Sequence, residues 1–139
     1  MAHIRKEFLI DNAPENVWEA LRDVGAVPRR LAPGFVTDTR MEDDIRIVTF
    51  ANGAVVHELI VDIDEEARRV AYAVVGGSLA PRHHHATMQV SADTEGRSRF
   101  VWTIDVTPGE LAVPIGEMAE QGALVMQRTL NAAPAPTGA

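Results

Sequence analysis

The chain has 139 residues, a formal net charge of −7, 46% hydrophobic residues, no cysteine, and only seven aromatics (four Phe, two Trp, one Tyr). That length suits a single domain with a real core, and the apolar fraction is too high for a disordered chain. The acidic balance disfavours nucleic acid and anionic membrane surfaces as partners. The missing cysteine excludes disulfides, thiolate zinc sites, iron–sulfur clusters and cysteine nucleophiles.

The first element is a strand, His3–Asp11, in which Ile4, Lys6, Phe8 and Ile10 alternate with Arg5, Glu7 and Leu9. The following DNAPENVWEALRDVG reads as a helix. Pro14 and Glu15 suit its first turn, Val17, Trp18, Ala20, Leu21 and Val24 form one stripe, and Gly25 closes it. Residues 25–34, with two prolines and two glycines, leave room for at most a short helix. Strands are then expected over Phe35–Glu42, Ile45–Phe50, Ala54–Ile63, Arg68–Val75, His84–Ala92 and Ser98–Thr107. Asn52-Gly53 predicts a two-residue type I′ hairpin turn, and Asp93–Gly96 a second tight turn. Glu110–Leu130 carries Ile115, Met118, Ala119, Gly122, Val125, Met126 and Leu130 at helical spacing. Residues 132–139 have no pattern and are expected to be a flexible tail behind a single domain, 1–131. No apolar run approaches the ~20 residues of a membrane span. The segment before Ala13 has only Phe8-Leu9-Ile10 as an apolar run and is not expected to be a signal sequence. A soluble cytoplasmic protein without membrane insertion is the expectation.

Strand, helix, short helix, six strands joined by tight turns and a long helix make an α+β layout: an antiparallel sheet with one face covered by the last helix.

Three strings carry a resemblance: IDNAPENVWEALRD at 10–23, NGAVVHELIVDIDEEARRVAYAVVGG at 52–77 and SRFVWTIDVTP at 98–108. Their order and spacing resemble the START-like, or SRPBCC, superfamily. It includes polyketide cyclases/dehydrases, the birch-pollen allergen group, plant abscisic-acid receptors and lipid-transfer domains. The likeness is greatest to bacterial proteins of the polyketide cyclase/dehydrase type. The resemblance implies a helix-grip fold, a curved seven-stranded antiparallel sheet wrapped around a long C-terminal helix, with an apolar cavity between them. It implies a small hydrophobic ligand; no cofactor is expected. It does not imply the gating of the hormone receptors, because the turn at Ala51–Ala54 is too short for a lid.

Patterning and resemblance disagree in Ala54–Ile63. Binary patterning turns Val55, His57, Leu59, Val61 and Ile63 inward and leaves Glu58 in water. The resemblance turns Glu58 and Tyr72 into the cavity, and we adopt that phase. The apolar odd face would then be covered in a homodimer. The ligand-facing set becomes Val48, Phe50, Val56, Glu58, Ile60, Tyr72, Val74, His84, Ala86, Met88, Phe100 and Trp102 from the strands. Met118, Gly122 and Met126 face them from the helix. Gly122 either leaves cavity volume or lets helix and sheet pack closely. Phe50, Tyr72, Phe100 and Trp102 would gather four of the seven aromatics at one pocket.

Among polar candidates, a carboxylate at Glu58 in an apolar cavity needs a partner or a proton. Glu58, Tyr72 and His84 are the acid/base candidates if the protein is an enzyme. Arg46 is expected to pair with a surface acid, and Asp62–Glu66 to be a solvated turn. His83 and His85 share one strand face, but no third metal ligand stands at suitable spacing, so no metal is expected. Three readings follow: a hydrophobic-ligand binder, a polyketide aromatase/cyclase or dehydrase, and a co-chaperone-like interaction module.

Overall fold

The computed structural model describes residues 1–78 and 81–134. Leu79 and Ala80, between the strands expected at Arg68–Val75 and His84–Ala92, and residues 135–139 of the expected tail, lie outside the described residues. The elements are β1 (Ala2–Ile10), α1 (Pro14–Arg22), β2 (Val36–Glu42), β3 (Ile45–Phe50), β4 (Val55–Asp64), β5 (Arg69–Gly77), β6 (His83–Ala92), β7 (Ser98–Thr107) and α2 (Ala112–Asn131). A single π-helical turn, Val27–Leu31, joins α1 to β2.

The seven strands form one antiparallel sheet in the order β1-β7-β6-β5-β4-β3-β2. Only β1 sits out of sequence order, because it pairs with β7. Alternation decides the faces. In β7, Phe100, Trp102, Ile104 and Val106 are buried while the residues between them are half-exposed. Against that inner face α2 lays Ile115, Ala119, Met126 and Leu130, and α1 adds Val17, Trp18 and Leu21. No helix among the described residues is long and apolar enough to cross a membrane. This is the helix-grip arrangement.

Two local expectations are corrected. The β3–β4 hairpin turns through three residues, Ala51-Asn52-Gly53, not two. Phe50 N–H bonds the Ala54 carbonyl at 2.9 Å, and Gly53 alone of the loop has a positive φ, 88°. A type I′ turn needs positive φ at both central residues, whereas a type I turn closed by one left-handed residue is the usual three-residue solution. The acidic turn after β4 is also more than solvated surface. Glu65 accepts the Trp18 indole N–H at 2.8 Å and the Arg22 guanidinium at 2.9 Å, which ties α1 to the sheet. Arg22 and Trp18 together hold its carboxyl below the usual carboxylate range.

Candidate functional site

β4 begins with Val56, Glu58 and Ile60 on the inner face, so Glu58 is turned inward and only 8% exposed. Directly across β3, Arg46 is 6% exposed. Arg46 Nε donates to Glu58 Oε1 at 2.8 Å, and its Nη2 lies 2.7 Å from the same oxygen. Nη1 donates to the Val24 carbonyl at 3.2 Å, and the guanidinium carbon stands 5.2 Å over the Tyr72 ring. The expected surface acid is thus replaced by a buried one. A charge costs several kcal/mol to bury alone, and this pairing is what makes Glu58 tolerable inside.

Tyr72 and Trp102 complete the polar group. Trp102 Nε1 donates to the Tyr72 hydroxyl at 3.0 Å. Burial, and after it the negative charge of Glu58, push Tyr72 well above the ordinary phenol range, so it stays a neutral O–H. Among the described residues nothing accepts that proton, and no hydrogen bond reaches Glu58 Oε2. A donor and an acceptor are therefore left over inside an apolar interior.

His84 lies on the other side of Tyr72, with ring centroids 5.9 Å apart. The β5–β6 ladder ends at Tyr72↔Ala86, and the His84 ring fills the next position: its Nδ1 accepts the Val74 N–H at 3.1 Å. Nε2 must then carry the proton of the neutral ring. Burial, followed by the nearby His85 and His83, lowers His84 from 6.5 to about 4. The unfolded chain therefore binds a proton between those values that the folded chain refuses. The stability due to neutral His84 is full above pH 6.5 and drains as pH falls toward 4, about 3 kcal/mol in all. Urea midpoints at pH 7.5 and 4 should show this loss in the wild type, and His84→Gln should be flatter by that amount. Equal pH slopes would refute the assignment.

The space around these groups is small. A cavity of about 50 Å³ is bordered by Arg46, Val48, Phe50, Glu58, Tyr72, Met88, Trp102, Met118 and Met126, with Phe35 and the Val27–Leu31 turn. A second void of about 30 Å³ lies toward Val56, Val74, His84, Ile104 and Ile115. Phe50, Glu58, Tyr72, Trp102 and Met118 border both. Outside them a groove of about 420 Å³ runs between the β3–β4 hairpin and the first half of α2. Phe35, Phe50 and Met118 stand between groove and interior, with Phe35 edge-on to Phe50 at 5.5 Å.

Four residues expected on the cavity wall are instead packed core. Phe100 is fully buried and stacks on Phe8 at 4.9 Å. Ala86 is fully buried, and Ile60 packs against the core just before the β4 register shifts. Gly122 marks close approach rather than spare volume: a Cβ there would lie 3.1 Å from Phe35 and 3.4 Å from Trp102. Phe35 takes the place expected for Phe100 among the four cavity aromatics. The sequence puts it at the start of a strand, Phe35–Glu42, whereas it lies in the turn between Gly34 and β2, where alternation does not set its direction. The remaining expected residues border one of the voids or the groove.

The chain resembles proteins of known structure over nearly its whole length. A family profile described as polyketide cyclase/dehydrase and lipid transport matches residues 1–133. An uncharacterized protein from Bacillus thuringiensis aligns with TM-score 0.83 at 19% identity, covering 93% of this chain and 98% of that one. Major latex-like protein 151 from Panax ginseng gives TM-score 0.77 at 21% identity over 94% and 95%. A norcoclaurine synthase point mutant from Thalictrum, in complex with a transition-state analogue, gives 0.67 at 18% over 93% of each chain. No curated protein matches significantly. At these identities the structural likeness is one of fold, and the profile match carries the family: the chain belongs to the polyketide cyclase/dehydrase and lipid transport family, within the START-like superfamily.

Proposed function

We propose that this protein binds a small hydrophobic molecule bearing a hydroxyl, carbonyl or enol oxygen, with that oxygen seated at Arg46, Glu58 and Tyr72. One observation carries the reading: a buried ion pair and a buried phenol keep an acceptor and a donor that no described residue uses, on the walls of the two voids. Natural interiors rarely leave such capacity unspent. A 50 Å³ cavity holds a water or two and no ligand of that class. Binding therefore requires Phe35, Phe50 and Met118 to swing aside and join groove to interior. All three are incompletely buried, and Met118 is unbranched and adaptable.

The test is a thermal-shift series with decanoic acid, decanol and a polycyclic phenol. At least one should raise Tm in a saturable way. Phe50→Trp, which crowds the gap between hairpin and α2, should abolish the shift while leaving the protein folded. A flat response to all three probes would remove the support for ligand binding.

The acid/base reading of Glu58, Tyr72 and His84 draws on the same groups. At neutral pH Tyr72 keeps its O–H, and neutral His84, whose Nδ1 is taken by the Val74 N–H, presents Nε2–H, so these two flank the site as donors.

A further inference from the structure

The histidine run singled out in the sequence is not absorbed by the cavity: only His84 faces inward. His85 lies outward between buried His84 and Ala86, and its direct partner across the sheet is Asp105 of β7. Asp105 is outward too, between buried Ile104 and Val106, and its partner on its other side is His3 of β1. Three strands thus set His3, Asp105 and His85 in one row across the outer face. His83, two residues before His85, lies on the same face. The sequence offered two histidines and no third ligand, and the register supplies two more groups, one of them 102 residues from its partner.

We propose that His3, Asp105 and His85 form a surface site for a divalent transition-metal ion, with zinc the ion tested below. Directly opposed cross-strand residues have Cβ atoms about 5 Å apart, so the two imidazoles flank the carboxylate within side-chain reach. His3 Nδ1 already stands 2.7 Å from Asp105 Oδ1. Zinc bonded to nitrogen and oxygen at about 2.0–2.1 Å with tetrahedral angles needs those atoms about 3.3 Å apart. A small opening of the pair lets the ion replace the proton the two atoms share. The side chains do not yet converge as a set of three. Rotation of the His85 ring toward Asp105 brings in the third ligand, and His83 or water supplies a fourth. The row is accessible, with the His3 and Asp105 side chains 55% and 41% exposed. Arg5, the next outward residue on β1, is held by Glu7 at 2.9 Å and does not compete for Asp105. An imidazole–carboxylate donor set suits zinc and its neighbours rather than magnesium or calcium.

Zinc titration of tag-free, chelator-stripped protein by calorimetry tests this. One equivalent should bind with a Kd in the micromolar range. His3→Ala and His85→Ala should each weaken binding at least tenfold, and His57→Ala, elsewhere on the outer face, should leave it unchanged. His3 is exposed and His57 and His85 are half-buried on the outer face, away from the core, so all three variants should fold, which circular dichroism checks. If His85→Ala abolishes binding but His3→Ala does not, zinc is held by the local run alone and the cross-strand site is overturned. Absence of saturable binding at one equivalent overturns it as well.

Discussion

Replacing Arg46 with Met should destabilise the protein by about 3–5 kcal/mol, because it strands a carboxylate in an apolar interior. The double variant Arg46→Met, Glu58→Leu should recover most of that loss. A buried ion pair is repaid only in part by its own attraction, so removing both charges is close to neutral. The two single variants should also differ in their pH response. An orphaned carboxylate can take up a proton, which caps its penalty at about 4 kcal/mol at pH 7 and shrinks it as pH falls. An arginine left alone by Glu58→Leu has no such escape, since a guanidinium keeps its charge. Urea unfolding at pH 7 and pH 5 separates these outcomes. Arg46→Met should gain on the wild type at pH 5, and Glu58→Leu should not. If the double variant is as unstable as the worse single variant, the pair is a net source of stability rather than a retained polar feature. If it is as stable as expected yet no longer responds to the probes that shift the wild type, the pair serves binding and not the fold.

The same pair shows what the sequence could and could not disclose. Arg46 and Glu58 each stand six residues from Asn52, so a hairpin centred on Asn52 pairs them directly. A two-residue turn at Asn52-Gly53 moves the centre by half a residue and sets Arg46 opposite Leu59 instead. One residue of loop length therefore hid the ion pair, although both partners and the turn were recognised. The element order and the long helix were legible because they rest on repeated periodicity over many residues. The inward phase of β4 was not legible from periodicity, since both faces are apolar and Glu58 sits where patterning puts a solvent residue. Resemblance resolved what binary pattern could not. Phe35 escaped because it lies in the turn just before β2, not in the strand expected from Phe35, so strand alternation does not set where its ring points; the Val27–Leu31 turn falls where the sequence leaves room for at most a short helix. The size of the cavity was beyond reach, because it depends on whether large side chains interdigitate, and Gly122 shows them doing so against Phe35 and Trp102. The His3–Asp105–His85 row was invisible for another reason: it exists only once β1 is known to pair with β7.

Trp102→Ala should cost about 3–5 kcal/mol, the range for removing a large buried aromatic. Trp102 is 4% exposed and, with Phe50, Glu58, Tyr72 and Met118, borders both interior voids. Its removal should join the two into a cavity on the order of 200 Å³, similar to engineered apolar cavities that take up benzene. Among the polar groups bordering that cavity, the Tyr72 hydroxyl oxygen is the one that loses a partner, the indole N–H it accepts at 3.0 Å. Free indole should therefore bind the variant and restore part of its Tm, with no effect on the wild type, whose voids beside Trp102 are about 50 and 30 Å³. 1-Methylindole fills the same volume without an N–H to donate. The lost hydrogen bond, worth about 1 kcal/mol, should make it roughly fivefold weaker. Equal rescue by the two compounds would show that shape alone governs the site and that the Tyr72 hydroxyl has no say in what enters. Rescue by neither would show that the surrounding side chains, Met88, Met118 and Met126 among them, collapse into the space. An interior that closes so readily would also explain how the wild type keeps its polar groups covered until a ligand displaces Phe35, Phe50 and Met118.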